Sequence, residues 1–375
     1  MTLRVALDIS SGLAHSAGVS RYALELAKEL KLREQDGAIA LRLFHNLQPL
    51  TNLPKTLAAI PRTFAPLSNK TWRAFLLSGV SPPPSWLPIK NTDIFHGLDV
   101  ITPPLNIPTV ITLHDLTTVL FPKFHSKFNA VYQKLALPVM VRRADRIIAD
   151  SMSTRRDAIS LLKIPEDRIE VVHLGVNHDV FYPRPDALEV VRQNLGNIDK
   201  YILGVGTLEP RKNLLALLQA CCALEDEAPT LVLAGAKGWG RSELFKQVER
   251  LGLTKKVIFT GFVSEDLLAN LYSAASMFVY PSYYEGFGLP VLEAMACGAP
   301  VICSNTSSLP EVVGEAAILI SPDDIGAIAQ AIRLFINDKE MTAKMRARSL
   351  EQAAKFTWQR TADETICVYH KVIDK

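Results

Sequence analysis

The sequence lacks the cysteine patterns and the long apolar runs that mark several common protein classes. Its five cysteines form no C-x-x-C pair and show no metal-ligand spacing. We therefore expect reduced thiols, mainly in the core. No apolar run approaches the roughly 20 residues that cross a bilayer. Residues 1–9 are typical of a buried strand rather than of a secretory signal, so the expected location is the cytoplasm.

Two common nucleotide-binding loops are also missing. The basic loop around residue 211 contains no G-x-x-x-x-G-K-[ST] sequence, which excludes a Walker loop there. The glycines that follow the first predicted strand, Gly12 and Gly18, are not spaced as G-x-G-x-x-G. An oxidoreductase that binds a dinucleotide would be expected to show that spacing.

Size and composition indicate a globular protein of two domains. The chain has 375 residues, of which 48% are apolar and 21% are charged. The net charge of +3 conceals an asymmetry, because residues 1–184 carry 22 Lys and Arg against 15 Asp and Glu. Such an excess suits an anionic membrane surface or an acidic acceptor, although it is more often ordinary solvated surface. No nucleic-acid partner is expected.

Short strand patterns alternate with amphipathic helical patterns along nearly the whole chain, and the rhythm restarts after about residue 185. This alternation predicts an α/β fold with two doubly wound, Rossmann-like domains facing each other across a cleft. A proline-punctuated linker at 181–186 divides a domain of residues 1–184 from one of residues 185–357. A proline-rich stretch, about Gln48–Lys90, is expected to be an irregular surface excursion. The predicted strands are Leu3–Ile9, Ala40–His45, Asp93–His96, Thr109–Leu113, Arg146–Ala149, Ile169–His173, Tyr201–Val205, Thr230–Ala234, Val257–Thr260, Met277–Val279, Pro300–Cys303 and Ala317–Ile320.

The stretch Glu285–Glu293, which reads EGFGLPVLE, carries the clearest chemical signal. It follows the predicted strand at 277–279, and ligands of open α/β sheets bind at the carboxyl ends of strands. Its two glycines allow a ligand to approach the backbone, and Pro290 suits the first turn of a helix that attracts phosphate. Glu293 would then bind a sugar diol, but a capping glutamate on an ordinary helix explains the spacing equally well.

A second motif, Gly204–Asn213, lies between a predicted strand and the predicted helix Leu214–Cys222. Its Arg211 and Lys212 are suited to a diphosphate, the arginine as a planar fork and the lysine as a point charge. A solvated basic loop is the alternative.

Two further motifs lie at strand ends in the N-terminal half. The loop Ser10–Arg21 would bring a helix start close to a phosphate, and His114 follows the strand predicted at 109–113. An imidazole there would donate to a sugar hydroxyl or orient an acceptor, whereas a lone histidine is more often structural.

Taken in order, these motifs resemble one family, the retaining glycosyltransferases of family 4, which have the GT-B fold. The resemblance extends over nearly the whole chain. The matching motifs are Gly18–Tyr22, His114-Asp115, Ser151–Asp157, Val171–Asn177, Glu209–Asn213, Gly261–Val263, Glu285–Glu293 and Phe356–Trp358.

The resemblance implies a donor-binding role for several of the matching residues. Glu293 would hold the nucleoside ribose, and Glu285 would bind the donor sugar. The diphosphate would contact Arg211, Lys212 and the helix start. The remaining donor-site residues implied are Gly18, Gly206, Thr207, Phe262, Val263, Gly286, Phe287, Gly288 and Leu289, with His114 near the donor sugar.

Two further implications concern the loop near the start of the chain and the helix at its end. Many relatives have paired glycines in the N-terminal loop, whereas Ala17 precedes Gly18 here, which weakens that assignment. The family also implies that a C-terminal helix, about Trp358–Ile373, returns to the N-terminal domain, which residues 358–375 would complete.

The implied activity is retaining hexosyl transfer (EC 2.4) from a UDP- or GDP-sugar to a saccharide or lipid-linked saccharide, in polysaccharide or glycoconjugate synthesis. We expect no metal and no tightly bound cofactor. Neither conspicuous carboxylate is assigned as a nucleophile, so a front-face reaction is the hypothesis. Lys123, Lys127, Lys134, Arg142 and Arg143 surround an apolar segment, 135–141, which suits either a peripheral site at the inner face of the membrane or a core helix with basic ends.

Three alternatives stay open. A nucleotide-sugar epimerase, hydrolase or phosphorylase of the same architecture would share the cleft, although no lysine motif for pyridoxal phosphate is evident. An oxidoreductase would fit the alternation but not the glycine spacing. A non-catalytic sugar-binding protein would fit the cleft but would not need the Arg-Lys pair.

Overall fold

Two compact units, each containing one parallel sheet, make up the protein in this computed structural model. The structure describes residues 2–13, 17–46, 53–83, 86–87, 89, 91–99, 102, 105–238 and 241–374. The first unit comprises Met1–Gly175 and Trp358–Lys375, and the second comprises Val176–Thr357. The chain thus enters the second unit after Gly175, whereas the sequence placed the division after Arg184. Phe181, from the expected linker, is buried within the second unit.

In the first unit, the described residues form seven parallel strands in the order β3-β2-β1-β4-β5-β6-β7. These strands are β1 (Leu3–Asp8), β2 (Ile39–His45), β3 (Arg62–Phe64), β4 (Ile94–Gly97), β5 (Thr109–Leu113), β6 (Arg146–Ala149) and β7 (Ile169–Val171). The helices are α1 (Ala17–Gln35), α2 (Asn69–Ser78), α3 (Thr117–Leu120), α4 (Lys127–Arg143), α5 (Met152–Leu162) and, from the C-terminus, α14 (Trp358–Ile373).

In the second unit, six parallel strands among the described residues have the order β10-β9-β8-β11-β12-β13. They are β8 (Tyr201–Val205), β9 (Thr230–Ala234), β10 (Val257–Gly261), β11 (Met277–Tyr280), β12 (Val301–Ser304) and β13 (Ala317–Ile320). The helices are α6 (Ala187–Leu195), α7 (Leu214–Ala223), α8 (Arg241–Arg250), α9 (Glu265–Ala274), α10 (Leu289–Ala296), α11 (Leu309–Val313), α12 (Ile325–Asn337) and α13 (Lys339–Ala353).

The predicted α/β class and doubly wound topology are confirmed. The inner strands β4, β5, β8, β11 and β12 are buried at every position, as expected for parallel strands covered by helices on both faces. In each sheet the winding direction reverses once, between β1 and β4 in the first unit and between β8 and β11 in the second. Loops at the carboxyl ends of two such strands diverge and leave a crevice that binds ligands in folds of this type.

The stretch expected to be irregular, Gln48–Lys90, contains two regular elements, so that prediction was wrong for them. β3 pairs with β2 at the edge of the sheet. Ser68 caps α2 by accepting a hydrogen bond of 3.2 Å from the Thr71 amide, and Gly79 ends the helix in a left-handed conformation. A strand of three residues is too short to give a recognisable alternation. Residues 47–52, 84, 85, 88 and 90 lie outside the described residues.

Two other expectations concerned reduced cysteines in the core and the lack of a segment long and apolar enough to cross a membrane. All five cysteines are free thiols; Cys221, Cys297 and Cys303 are buried, whereas Cys367 is exposed on α14 rather than in the core. Among the described residues, no helix combines the length and the apolar character that crossing a membrane requires.

Candidate functional site

The loops after β8 and β11 bring the two strongest sequence motifs of the second unit together. β8 and β11 are hydrogen-bonded neighbours, so both loops leave the same edge of the sheet. Pro210–Lys212 forms a 3₁₀ turn that ends at Asn213 with a left-handed φ of 51°. The Tyr283 amide then donates to the Arg211 carbonyl over 2.9 Å, which fixes one loop against the other.

Glu285 lies at the centre of a buried set of charges. Its Oε2 is 3.0 Å from an Arg211 guanidinium nitrogen, and its Oε1 is 2.8 Å from Lys212 Nζ. The Ser282 hydroxyl donates to the same Oε1. The side chains of Glu285 and Lys212 are each only 9% exposed. The carboxylate that the sequence assigned to the donor sugar therefore contacts both cations assigned to the diphosphate.

The ionisation of Glu285 follows from these contacts. Burial acts to raise the pKa of its carboxyl, but the charges of Arg211 and Lys212 and the hydrogen bonds from Lys212 and Ser282 outweigh burial and hold that pKa at about 2. A carboxylate of such low basicity, with both oxygens engaged, is a poor general base and a poor nucleophile.

Arg211 and Lys212 are both fixed by additional partners. Arg211 donates to Glu209 Oε1 over 2.7 and 3.1 Å and to the Tyr284 carbonyl over 2.7 Å. Lys212 donates to the Tyr280 hydroxyl over 2.6 Å. Two cations and two carboxylates thus lie at the strand ends, and none of the four side chains is more than 20% exposed.

The segment that joins Glu285 to α10 needs glycine at one position. Gly288 precedes α10 with φ +112°, and a Cβ there would lie 2.7 Å from Leu309 Cδ2. The Ser308 hydroxyl shares its single O–H between the carbonyl oxygens of Glu285 (2.9 Å) and Phe287 (2.6 Å), which ties this segment to the residue that precedes α11. At the start of α10, Pro290 has no N–H and the Val291 amide donates to the Gly288 carbonyl over 3.0 Å, so the amides of Gly288 and Leu289 are the ones placed to meet a ligand at the positive end of the helix dipole.

Glu293, the second glutamate of the motif, lies within α10 and is 2% exposed. The Tyr272 hydroxyl donates to its Oε2 over 3.2 Å. The position is one turn into the helix rather than at its cap, so the capping alternative does not describe this residue.

A loop that sequence reasoning missed follows β9. Gly235 has φ +154°, and a Cβ on it would lie 2.0 Å from the carbonyl oxygen of Gly206, so the two loop backbones are packed against each other. A Cβ on Gly238 would likewise lie 2.3 Å from the carbonyl oxygen of Leu208. Lys237 is exposed between these glycines. A lysine flanked by glycines directly after a predicted strand was the available signal.

Phe262 and Val263 follow Gly261, which ends β10 with φ +72°. The Phe262 side chain is 79% exposed, whereas Val263 is half-buried. An exposed aromatic face at the carboxyl end of a strand is available to stack on a planar ligand.

In the first unit, His114 follows β5 and is paired with a residue that the sequence reading passed over. Its Nδ1 lies 2.7 Å from Asp150 Oδ2, and its Nε2 lies 3.0 Å from the Leu98 carbonyl oxygen. Leu113 pairs with Ala149 in register, so His114 and Asp150 are the next residues along two adjacent strands. Tyr22 from α1 makes an edge contact with the imidazole at 4.9 Å between ring centroids.

These contacts decide the charge of His114. Burial acts to lower the pKa of the imidazole, but the Asp150 carboxylate outweighs burial and raises that pKa to about 9. With acceptors at both nitrogens the ring is an imidazolium that donates twice within the protein. The expected side-chain donation to a sugar hydroxyl would require one of these hydrogen bonds to break.

Gly18 lies in the first turn of α1, and a Cβ there would meet nothing within 4 Å. Residues 14–16 of the preceding loop lie outside the described residues. Among the described residues, no three His, Cys, Asp or Glu side chains converge as metal ligands would. The expectation of a metal-independent reaction stays a prediction.

Comparison with known proteins agrees with this architecture. The family model for glycosyl transferases group 1 matches residues 189–352, and that for glycosyltransferase family 4 matches residues 16–180. O-antigen chain mannosyltransferase B of Escherichia coli is 35% identical over 372 residues, covering 94% of this chain and 95% of that protein. The serotype-specific mannosyltransferase WbdA of Escherichia coli is 34% identical over 265 residues, which cover 68% of this chain but 32% of that protein.

A solved structure has the same fold. HepE of Anabaena, in complex with UDP and glucose, aligns with a TM-score of 0.78 at 20% identity, covering 98% of this chain and 100% of that chain. The chain belongs to glycosyltransferase family 4, has the GT-B fold, and is a glycosyltransferase of glycoconjugate synthesis.

Proposed function

We propose that this protein is a retaining hexosyltransferase that takes its sugar from a nucleoside diphosphate donor. The observation that carries the proposal is the placement of Arg211 and Lys212 beside Glu285, at the reversal point of the second sheet. A diphosphate needs cations and backbone amides that are already oriented. The first turn of α10 and these two cations supply both.

Lys212 retains a donor for the phosphate. An ammonium has three N–H donors, and two of them point at Tyr280 and Glu285. In the proposed complex the third contacts a phosphate oxygen. Because Lys212 is buried, the interaction with a charged oxygen is stronger than it would be in water. It would grow as negative charge develops on the leaving diphosphate.

The proposed chemistry uses no enzyme nucleophile. The bond between the sugar C1 and the leaving phosphate oxygen breaks, and the acceptor oxygen bonds to C1 on the same face. The acceptor proton passes to the departing phosphate oxygen. The low basicity of Glu285 supports this route, because that carboxylate is suited to accept hydrogen bonds from sugar hydroxyls and not to attack C1.

The remaining donor contacts are proposed from position. Glu293 is assigned to the ribose and Phe262 to the nucleobase, with Val263, Gly206 and Thr207 beside them. The neighbour HepE was solved in complex with UDP and glucose, which supports a nucleotide-sugar donor for this chain.

For the sugar and the acceptor we propose a mannosyl donor and a saccharide or lipid-linked saccharide acceptor. The mannosyltransferases of O-antigen synthesis among the relatives support this choice. The positive N-terminal half supports peripheral contact with an anionic membrane, where a lipid-linked acceptor would be presented.

The test is a thermal-shift screen of UDP- and GDP-sugars, followed by transfer assays with the donor that stabilises the protein. Product analysis by NMR would give the anomeric configuration. We expect stabilisation by one nucleotide sugar and a product with the donor's configuration. Inverted product would refute retention, and release of free sugar at the same rate with and without acceptors would favour a hydrolase instead.

A further inference from the structure

Helix α4 carries apolar residues on two faces, of which only one is covered. Tyr132, Ala136 and Met140 pack into the core of the first unit together with Leu76 from α2. The other face presents Phe128, Val131 and Leu135, which are 66%, 60% and 56% exposed. Their spacing of three and four residues aligns them along one side of the helix.

Helix α2 extends this exposed strip. The Arg73 guanidinium lies over the rings of Tyr132 (4.7 Å) and Phe128 (5.8 Å), which places α2 directly beside the apolar face of α4. Leu77, one turn beyond Arg73 on α2, is 43% exposed. We refer to Leu77, Phe128, Val131 and Leu135, together with Arg73, Lys127 and Lys134, as the basic apolar surface.

Both segments that form this surface contain no acidic residue. Residues 37–92 and 116–144 include no Asp or Glu, and they contain six and five Lys or Arg respectively. On α4, Lys127 and Lys134 are exposed alongside the apolar strip. A surface with this charge pattern attracts anions along its whole length.

We propose that the basic apolar surface docks the protein on an anionic lipid bilayer. Phe128, Val131 and Leu135 would enter the boundary between headgroups and acyl chains, and the flanking lysines would contact lipid phosphates. The inference deepens the proposed membrane contact by naming its residues, and it is independent of the donor chemistry.

Charge favours a bilayer over a second copy of the chain. Two copies joined through this face would bring the exposed lysines of both α4 helices together, and their like charges would repel. A narrow apolar strip bordered by lysines is typical of a helix that lies in the membrane interface and inserts only its apolar side chains. The face is also continuous over two helices, which allows several side chains to contact one plane.

The experiment is flotation of the full chain with vesicles of phosphatidylcholine, with and without phosphatidylglycerol, at about 10 mM and about 1 M salt. We expect binding only to the phosphatidylglycerol vesicles at low salt, because charge screening shortens from roughly 30 Å to 3 Å over that range. Phe128→Ser with Leu135→Ser should abolish binding. Lys127→Gln with Lys134→Gln should weaken partitioning roughly thirtyfold.

A matched control lies in the second unit. Leu334 and Lys339 are also exposed, and Leu334→Ser with Lys339→Gln should bind vesicles as the wild type does.

Two results would overturn the proposal. One is wild-type protein that floats with neither kind of vesicle, and the other is a Phe128 and Leu135 variant that still binds. Loss of a dimer in those variants by sedimentation velocity, without vesicle binding by the wild type, would assign the surface to a second copy instead. Transfer to a soluble acceptor should be unchanged in all variants; its absence in the wild type would refute the transferase proposal alone.

Discussion

The ammonium of Lys212 and the carboxylate of Glu285, 73 residues apart in sequence, lie 2.8 Å apart and are both buried. A buried pair of this kind is costly to break, because one partner is left as an uncompensated charge in the interior. Its position at the ends of β8 and β11 makes it the centre of the proposed donor site. The first two predictions address this pair.

Lys212→Met removes the charge and retains most of the apolar side chain. We expect kcat/KM for transfer to fall at least ~100-fold, since loss of one group that stabilises a developing oxyanion costs about that much. Lys200→Met, an exposed lysine outside these loops, is the control. Steady-state kinetics and thermal unfolding of both variants check the result. A folded K212M enzyme with wild-type kcat/KM would remove Lys212 from the mechanism.

The stability contributed by Glu285 depends on pH in a defined direction. Its pKa is lowered from 4.5 to about 2 on folding, so its contribution is present above pH 4.5 and is lost as pH falls towards 2. A shift of this size corresponds to roughly 3 kcal/mol. We expect the free energy of unfolding of the wild type to converge on that of Glu285→Gln over this range, as measured by urea denaturation. Parallel curves for the two proteins would contradict the ion-pair assignment.

Asp150 is expected to keep His114 protonated. The raised pKa of about 9 means that the stabilisation is complete below the ordinary pKa of 6.5 and is lost as pH rises through 9. Asp150→Asn removes the charge that raises this pKa most, so the pKa of His114 should fall well below 9, while Asp99 and the Leu98 carbonyl still favour the protonated ring. Histidine ring NMR measures both values. His96, whose pKa burial lowers to about 3, is an internal reference that should not titrate between pH 5 and 9. A His114 signal unchanged by D150N would exclude this role.

Gly288→Ala should impair donor binding through the backbone. A non-glycine residue at φ +112° with a contact of 2.7 Å to Leu309 Cδ2 is strained by on the order of 1–3 kcal/mol. Relief of that strain would turn the first amides of α10 away from the phosphate. Calorimetric titration with the nucleotide identified by thermal shift should show weaker binding. Gly326→Ala, at a helical glycine without positive φ, should bind as the wild type does.

Phe262→Ala separates nucleobase binding from folding. Because the ring is 79% exposed, its removal should leave the melting temperature within about 1–2 °C of the wild type. A stacked base contributes on the order of 1–3 kcal/mol, so the Kd for the nucleotide should rise at least ~5-fold. Leu334→Ala, another exposed apolar residue, is the control. Unchanged affinity would place the base elsewhere.

Much of the fold was predictable because it depends on local patterns. Twelve of the thirteen strands in the described residues were predicted to within about two residues at each end, since buried parallel strands are short continuous apolar runs bounded by turn residues. The missed strand, β3, has only three residues, and the missed helix α2 lies in a proline-rich stretch. The candidate donor residues were also named from the sequence, because their motifs resemble those of family 4 in the same order; the glycines, the proline and the adjacent cations alone left a capped helix and a solvated basic loop as alternatives.

What the sequence by itself determined is therefore the identity of the motifs and their place after particular strands. The pairing of those motifs was decided only by the tertiary structure. Glu285 is beside Lys212 because the sheet reverses between β8 and β11, and Asp150 is beside His114 because Leu113 and Ala149 are in register. Strand order and register depend on packing over the whole sheet, which no local pattern records. The same packing determined that Glu285 is an ion-paired carboxylate and His114 an imidazolium, since burial and neighbouring charges act only after the strands have met.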